Sequence, residues 1–208
     1  MKPQRAISVN DILNYNPRVM EFEGKWLDSF GKPEMSGSWI ICGGSGSGKT
    51  HFALELAKYL TNFGKVGYDS LEQGLSLSLK KAIKKIGMLD VAGRFVILNK
   101  EPVAEFINRL KKRKSPDILF IDSLQYSGLN KDTAKALIDQ FSNKLFIFIS
   151  HSEGNKPAGR TANAIWFHSD VKLFVENYKI PEPKSRFVEG VAKPFITWEE
   201  GVLNNLEQ

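Results

Sequence analysis

One cysteine in 208 residues leaves no disulfide framework within the chain, and Cys42 itself falls in an apolar run that reads as core. The three histidines, at positions 51, 151 and 168, are scattered and have no cysteine neighbours, which excludes the spacings of a zinc finger or zinc ribbon. No apolar run approaches the roughly 18 residues that cross a bilayer, and the first residues lack the apolar stretch of a secretory signal. The expectation is a cytoplasmic protein with no membrane partner. Acidic and basic residues nearly balance, 23 against 29, so the surplus of +6 allows a polyanionic partner without requiring one. At this length one sizeable core is available and a second full domain is not.

What the chain does have is a dense glycine cluster. Residues 40–50 read Ile-Ile-Cys-Gly-Gly-Ser-Gly-Ser-Gly-Lys-Thr, and positions 43–50 satisfy G-x-x-x-x-G-K-[ST] at every fixed site. The apolar residues 39–42 predict a buried strand before it. Phe52, Ala53, Leu56, Ala57 and Leu60 recur at helical spacing after it. A Gly/Ser linker does not sit in such a strand, loop and helix context. Gly43, Gly44, Ser45, Gly46, Ser47 and Gly48 let backbone N–H groups approach a phosphate, with the positive end of the helix behind them. Lys49 is placed to reach the β- and γ-phosphates, and the Thr50 hydroxyl to ligate Mg²⁺. The pattern calls for ATP or another NTP together with Mg²⁺.

Short apolar runs follow at 65–70, 95–98, 118–122, 145–150 and 171–176, separated by helical stretches such as 75–86. This alternation implies right-handed crossovers and an α/β fold with a mainly parallel sheet flanked by helices. Residues 1–36 read as an irregular lead-in packed on a core spanning 37–208, with Phe22, Trp26, Phe30 and Tyr15 covering apolar surface. Ile118-Leu119-Phe120-Ile121-Asp122 is a bounded strand ending on a carboxylate, and Asp122 is positioned to hold Mg²⁺. Glu72 and His151 also fall at strand ends, where open α/β sheets bind ligands. The residues leave two readings of each: Glu72 as general base or as a surface cap, His151 as γ-phosphate sensor or as a histidine bonded to local backbone. Residues 152–161 are rich in breakers and predict a mobile loop, to which Lys156 and Arg160 give positive charge suited to nucleic acid. Lys184-Ser185-Arg186-Phe187 and 194–199 predict a C-terminal β-hairpin with Lys184 and Arg186 on one face. Trp166 and Phe167 read as core.

In their order these motifs resemble the ATPase core of the RecA superfamily, in particular its RadA and DnaB-helicase branch. Residues 43–50 look like Walker A, Ser70-Leu71-Glu72 is similar to the segment carrying the catalytic glutamate, and Ile121-Asp122-Ser123-Leu124-Gln125 resembles Walker B and its continuation. Ser150-His151, Ala158-Gly159 and Asp170-Val171 resemble the nucleotide-sensing and DNA-facing region. Lys184-Ser185-Arg186-Phe187 resembles the K-x-R-F hairpin that acts across a subunit interface. The resemblance implies a RecA-like P-loop fold, a ring or filament of identical subunits, and Mg²⁺-dependent ATP hydrolysis coupled to single-stranded DNA. It also resembles core-only relatives of phages and mobile elements, which implies a part in single-strand annealing, recombination or replication; a loader or regulator would instead bind a larger replication or recombination protein. Two other readings compete: an ATP-gated loader or regulator that hydrolyses little, and a small phosphate-loop kinase. The kinase lacks the dense arginine cluster that a lid after Asp122 would need.

Overall fold

In chain order the described residues, 6–206 of this computed structural model, form α1 (Val9–Leu13), α2 (Gly24–Phe30), β1 (Gly37–Gly43), α3 (Lys49–Leu60), β2 (Val66–Ser70), α4 (Leu77–Ile86), β3 (Phe95–Leu98), α5 (Val103–Leu110), β4 (Ile118–Asp122), α6 (Lys131–Gln140), β5 (Leu145–Glu153), β6 (Lys156–Pro157), α7 (Gly159–His168), β7 (Val171–Phe174), β8 (Lys179–Ile180), β9 (Lys184–Ser185), β10 (Phe195–Ile196) and α8 (Glu199–Leu206). The ends of the lead-in and core ranges, residues 1–5 and 207–208, lie outside the described residues.

The apolar runs pair as one sheet in the order β3-β2-β4-β5-β1-β7-β9, parallel except for the edge strand β9, with β6 folded back on β5. This is the α/β fold with a mainly parallel sheet that the alternating pattern predicts. Successive strand residues face opposite sides, so each buried strand feeds two cores. Trp39, Ile41, Tyr68, Phe120 and Ile147 pack with Phe52 and Leu56 of α3 and Leu79 of α4. Ile40, Cys42, Leu119, Ile121 and Phe148 pack with Phe106 of α5, Leu137 of α6 and Ile165 of α7 on the other face. Among the described residues no helix is long and apolar enough to cross a membrane.

The lead-in is tied to the first core. Met20, Phe22, Trp26, Phe30 and Met35 are buried, and the Trp26 ring stacks on Tyr59 of α3 with centroids 4.6 Å apart. Tyr15 differs: it is exposed, like Ile7, Val9, Ile12 and Leu13 around α1. Phe167 is also exposed rather than core, because it sits at the end of α7 on its outer side, while its neighbour Trp166 packs partly on the second core.

Three segments fold otherwise than their sequence predicts. The breaker-rich stretch 152–161 is a short antiparallel ribbon: Ser152 pairs with Pro157 and Glu153 with Lys156, turning at Gly154, whose φ is +58°. α7 then starts at Gly159, so the breakers serve a hairpin and a helix start rather than a long loop. At the C-terminal end, an antiparallel pair is present but with different partners. Phe195–Ile196 pairs with Lys179–Ile180, and Lys184–Ser185 instead completes the edge of the main sheet against Val171 and Lys172. Burial decides this exchange: Ile180 and Phe195 are 0% and 1% exposed, and Phe195 meets Trp26 and Phe30 of the lead-in.

Candidate active site

The register gathers the strand ends. Gly43 at the end of β1 pairs with His151 on β5, Asp122 on β4 pairs with Ile149, and Ser70 on β2 pairs with Asp122. β5 therefore lies between the strand that feeds the glycine loop and the strand that ends on Asp122. The backbone N–H groups of Leu71 and Glu72 both donate to the Asp122 carbonyl, at 2.7 and 3.0 Å, which fixes Glu72 beside the Asp122 strand end.

The loop is built around missing side chains. A Cβ on Gly43 would lie 2.3 Å from the Val175 carbonyl oxygen and 2.7 Å from Ser47 Oγ, so only glycine fits that close approach. Gly48 has φ +95°, and a Cβ there would strike the Tyr178 ring at 2.5 Å. Gly44 and Gly46 face open space. Ser47 Oγ is buried and has no hydrogen-bond partner among the described residues, an orphan polar atom facing the loop. The Lys49 ammonium donates to the Gly44 carbonyl at 2.5 Å across the loop. Burial holds its pKa below the usual lysine range, while Glu72 and Asp122 pull the other way. This open cradle, with an orphan hydroxyl and a partly desolvated lysine, fits a phosphate chain. Thr50 in the first turn of α3 and Asp122 supply oxygen donors of the kind Mg²⁺ takes.

Asp122 is 5% exposed, and burial pushes its carboxyl up to about 6. The buried Tyr68 hydroxyl donates to its Oδ2 at 2.5 Å and works against that rise. Glu72 is held from two sides: Ser123 Oγ donates to Oε2 at 3.0 Å, and His151 Nε2 lies 3.1 Å from the same oxygen. Gln125 ties this group to the ribbon after β5, donating to Ser150 Oγ at 2.9 Å and to the Ala158 carbonyl at 3.2 Å. Cys42 is raised to about 12 by burial, so it stays a thiol and serves as packing.

Lys49, Thr50, Glu72, Asp122 and His151 thus converge at one end of the sheet. Lys156 and Arg160 are exposed on the adjoining ribbon and first turn of α7. Lys184 and Arg186 do not join them. Lys184 opens β9 and pairs with Lys172, level with Ile40, three residues and about 10 Å along the strand from Gly43, and Arg186 follows β9 two residues further away. Arg186 Nη1 is engaged there by Asp170 Oδ1 at 3.0 Å. The sequence reading missed Tyr68, Ser123, Gln125 and Tyr178. Ser123 and Gln125 stand in the run 121–125 that carries the resemblance. Tyr178 gives no local signal; it touches the loop through its N–H, which donates to the Ser47 carbonyl at 3.0 Å.

A family profile described as "ATPase family associated with various cellular activities (AAA)" matches residues 39–167, which span the glycine loop, Glu72, Asp122, His151 and Arg160. The chain belongs to the AAA family. Membership supports ATP binding and hydrolysis by this chain. No curated protein matches this AAA chain. Among solved structures it is similar to the flagellar accessory protein FlaH from Methanocaldococcus jannaschii, with TM-score 0.54 and 16% identity over 76% of this chain and 80% of that one. The KaiC-like protein PH0186 from Pyrococcus horikoshii OT3 is similar at TM-score 0.55 and 15% identity, again over 76% and 80%. At these identities the likeness speaks for the fold, which is RecA-like.

Proposed function

We propose that this AAA-family chain is a Mg²⁺-dependent ATPase of the RecA-like kind that works on single-stranded DNA in recombination or replication, with Glu72 as the general base. The observation that carries this reading is the placement of Glu72. Its carboxylate is held by Ser123 and His151 at the strand end that also presents Lys49 and Asp122. Both contacts fall on Oε2, leaving Oε1 to accept a proton from a water. That water's oxygen bonds to the γ-phosphorus as the bond to the β–γ bridging oxygen breaks, giving ADP and phosphate. The backbone N–H groups of residues 44–50 and the Lys49 ammonium offset the charge on the phosphates. Mg²⁺ held by Thr50 and Asp122 supplies further neutralisation of that charge when bound.

Lys184 and Arg186 sit too far along their own sheet to serve their own loop. Their exposure at the edge strand supports a role at the γ-phosphate of a neighbouring subunit in a ring or filament. His151 links Glu72 to the ribbon that carries Lys156 and Arg160, through Gln125, so occupancy of that ribbon by DNA reaches the base. The test is the rate of Mg²⁺-ATP hydrolysis with and without single-stranded DNA at two salt concentrations. Stimulation that fades as salt rises is expected, since phosphate contacts weaken steeply with salt. Binding of ATP with no hydrolysis under any DNA condition would overturn the proposal and turn attention to an ATP-gated partner protein.

A further inference from the structure

The end of the sheet opposite the phosphate-binding loop has no part in the reaction above. There β3, β2, β4 and β5 begin at Phe95, Val66, Ile118 and Leu145, which are neighbours in register. The residues immediately before these starts are Arg94, Lys65, Asp117 and Lys144. At about 4.8 Å between strands, they form a row roughly 14 Å long.

The connection from α5 to β4 adds a second tier. Residues 111–114 read Lys-Lys-Arg-Lys, all exposed. Their loop is fastened to the row: Lys65 Nζ donates to the Lys114 carbonyl at 3.3 Å, and Lys144 Nζ to the Pro116 carbonyl at 2.6 Å and Ser115 Oγ at 3.0 Å. From the lead-in, Arg18 donates to the Phe63 carbonyl at 2.8 Å and lies 3.9 Å from Asp117 Oδ1. Asp117 is the carboxylate set among these cations, and its Oδ2 is already taken by the Lys65 N–H at 3.0 Å.

Helix polarity explains part of this charge, because cations are favoured at the C-terminal end of α5. It does not explain Arg94, Lys65 and Arg18, which come from three other elements and gather like charge at a cost. Nor does the face offer apolar side chains in the run 111–114 to enter a bilayer. Exposed Arg94 and half-buried Lys65 at the strand starts, with Arg18 beside them and the exposed tier 111–114, suit a line of phosphates, while Lys144 is buried and holds the loop in place.

We propose that this face binds the phosphate backbone of nucleic acid, on the side of the sheet away from the ATP site and independently of sequence. The inference rests on the nucleic-acid reading above for the class of partner, and on Arg18, Lys65, Arg94 and the exposed run 111–114 for the place. It makes the protein a two-sided binder, in which the ribbon near Glu72 couples to hydrolysis and the opposite face anchors the chain.

The test is fluorescence anisotropy of short labelled DNA, single-stranded and duplex, across a salt series. The double variant Lys112→Glu/Arg113→Glu is compared with Lys80→Glu/Lys81→Glu on α4, which changes net charge equally, and with Lys156→Glu/Arg160→Glu on the ribbon. The Lys112/Arg113 variant is expected to weaken binding at least about tenfold and to lower the log–log salt slope by about 1.5, near two lost phosphate contacts. ATP hydrolysis without DNA should stay at the wild-type rate. Binding within twofold of wild type, or an equal loss in the α4 control, overturns the proposal. So does tighter binding of phosphatidylserine vesicles than of DNA, lost in the same variant. A ribbon variant that alone abolishes binding sinks this face and leaves the coupled ribbon standing. The reverse result does the opposite, and the DNA-free hydrolysis rate judges the ATPase separately.

Discussion

Replacing Tyr68 by phenylalanine removes one oxygen from the most buried part of the site. The ring stays packed on Phe120, with centroids 5.5 Å apart, so little volume changes. What is lost is the 2.5 Å bond from the fully buried hydroxyl to Asp122. A hydrogen bond to an ionised group is worth about 1.5–3 kcal/mol, and one between neutral groups about 0.5–1.5. The cost must therefore depend on whether Asp122 carries its charge. Burial raises its carboxyl to about 6 and the Tyr68 bond lowers it, so the phenylalanine variant has a still higher value. A folded-state pKa above the unfolded one favours the protonated form. Its stabilising effect is complete below about pH 3.9 and is lost as pH rises through the folded value. The variant enlarges that loss. Urea unfolding in EDTA, followed by circular dichroism at pH 4.5 and pH 8, should show a penalty of about 1 kcal/mol at the lower pH and about 2–3 at the higher. Equal penalties at both pH values would refute the proposed charge state of Asp122.

Two further outcomes follow from the same geometry. Asp69 is 3% exposed and raised to about 6, chiefly by burial, with its Oδ1 accepting the Glu101 N–H at 3.2 Å. An asparagine keeps that acceptor and removes the charge, so Asp69→Asn should lose less stability than wild type between pH 4 and 7. The difference should reach about 3 kcal/mol for a carboxyl moved from about 3.9 to about 6; parallel pH profiles would contradict this. Mixing Arg186→Ala subunits with Lys49→Ala subunits should restore hydrolysis above either alone, because each supplies what the other lacks across the interface; no recovery at any ratio would remove Arg186 from the trans role.

The parts of the site written within one stretch of chain were legible in the sequence. Positions 43–50 and 118–122 each carry strand, turn and ligand types in consecutive residues, and the structure brings them to one sheet end. The fold class followed from alternating apolar runs of helical and strand length. Pairings of two residues were not legible, because β8, β9 and β10 are too short to show a period; the burial of Phe195 against Trp26 and Phe30 selects the partner. The support of Glu72 by Ser123 and His151 spans 51 and 79 positions and depends on parallel register, which no local pattern encodes. The basic face is hidden for the same reason, since Arg18, Lys65, Arg94, the run 111–114 and Lys144 meet only when four strands start side by side.

If Glu72 removes the proton from the attacking water, a neutral side chain of the same shape at that position isolates the step. Phosphate release from Mg²⁺-ATP is measured for wild type and Glu72→Gln, with ATP affinity determined on the same samples. The glutamine variant is expected to bind ATP as tightly as wild type and to hydrolyse it roughly 100-fold slower or worse, the usual range for loss of a general base. A glutamine variant that turns over at the wild-type rate would contradict it.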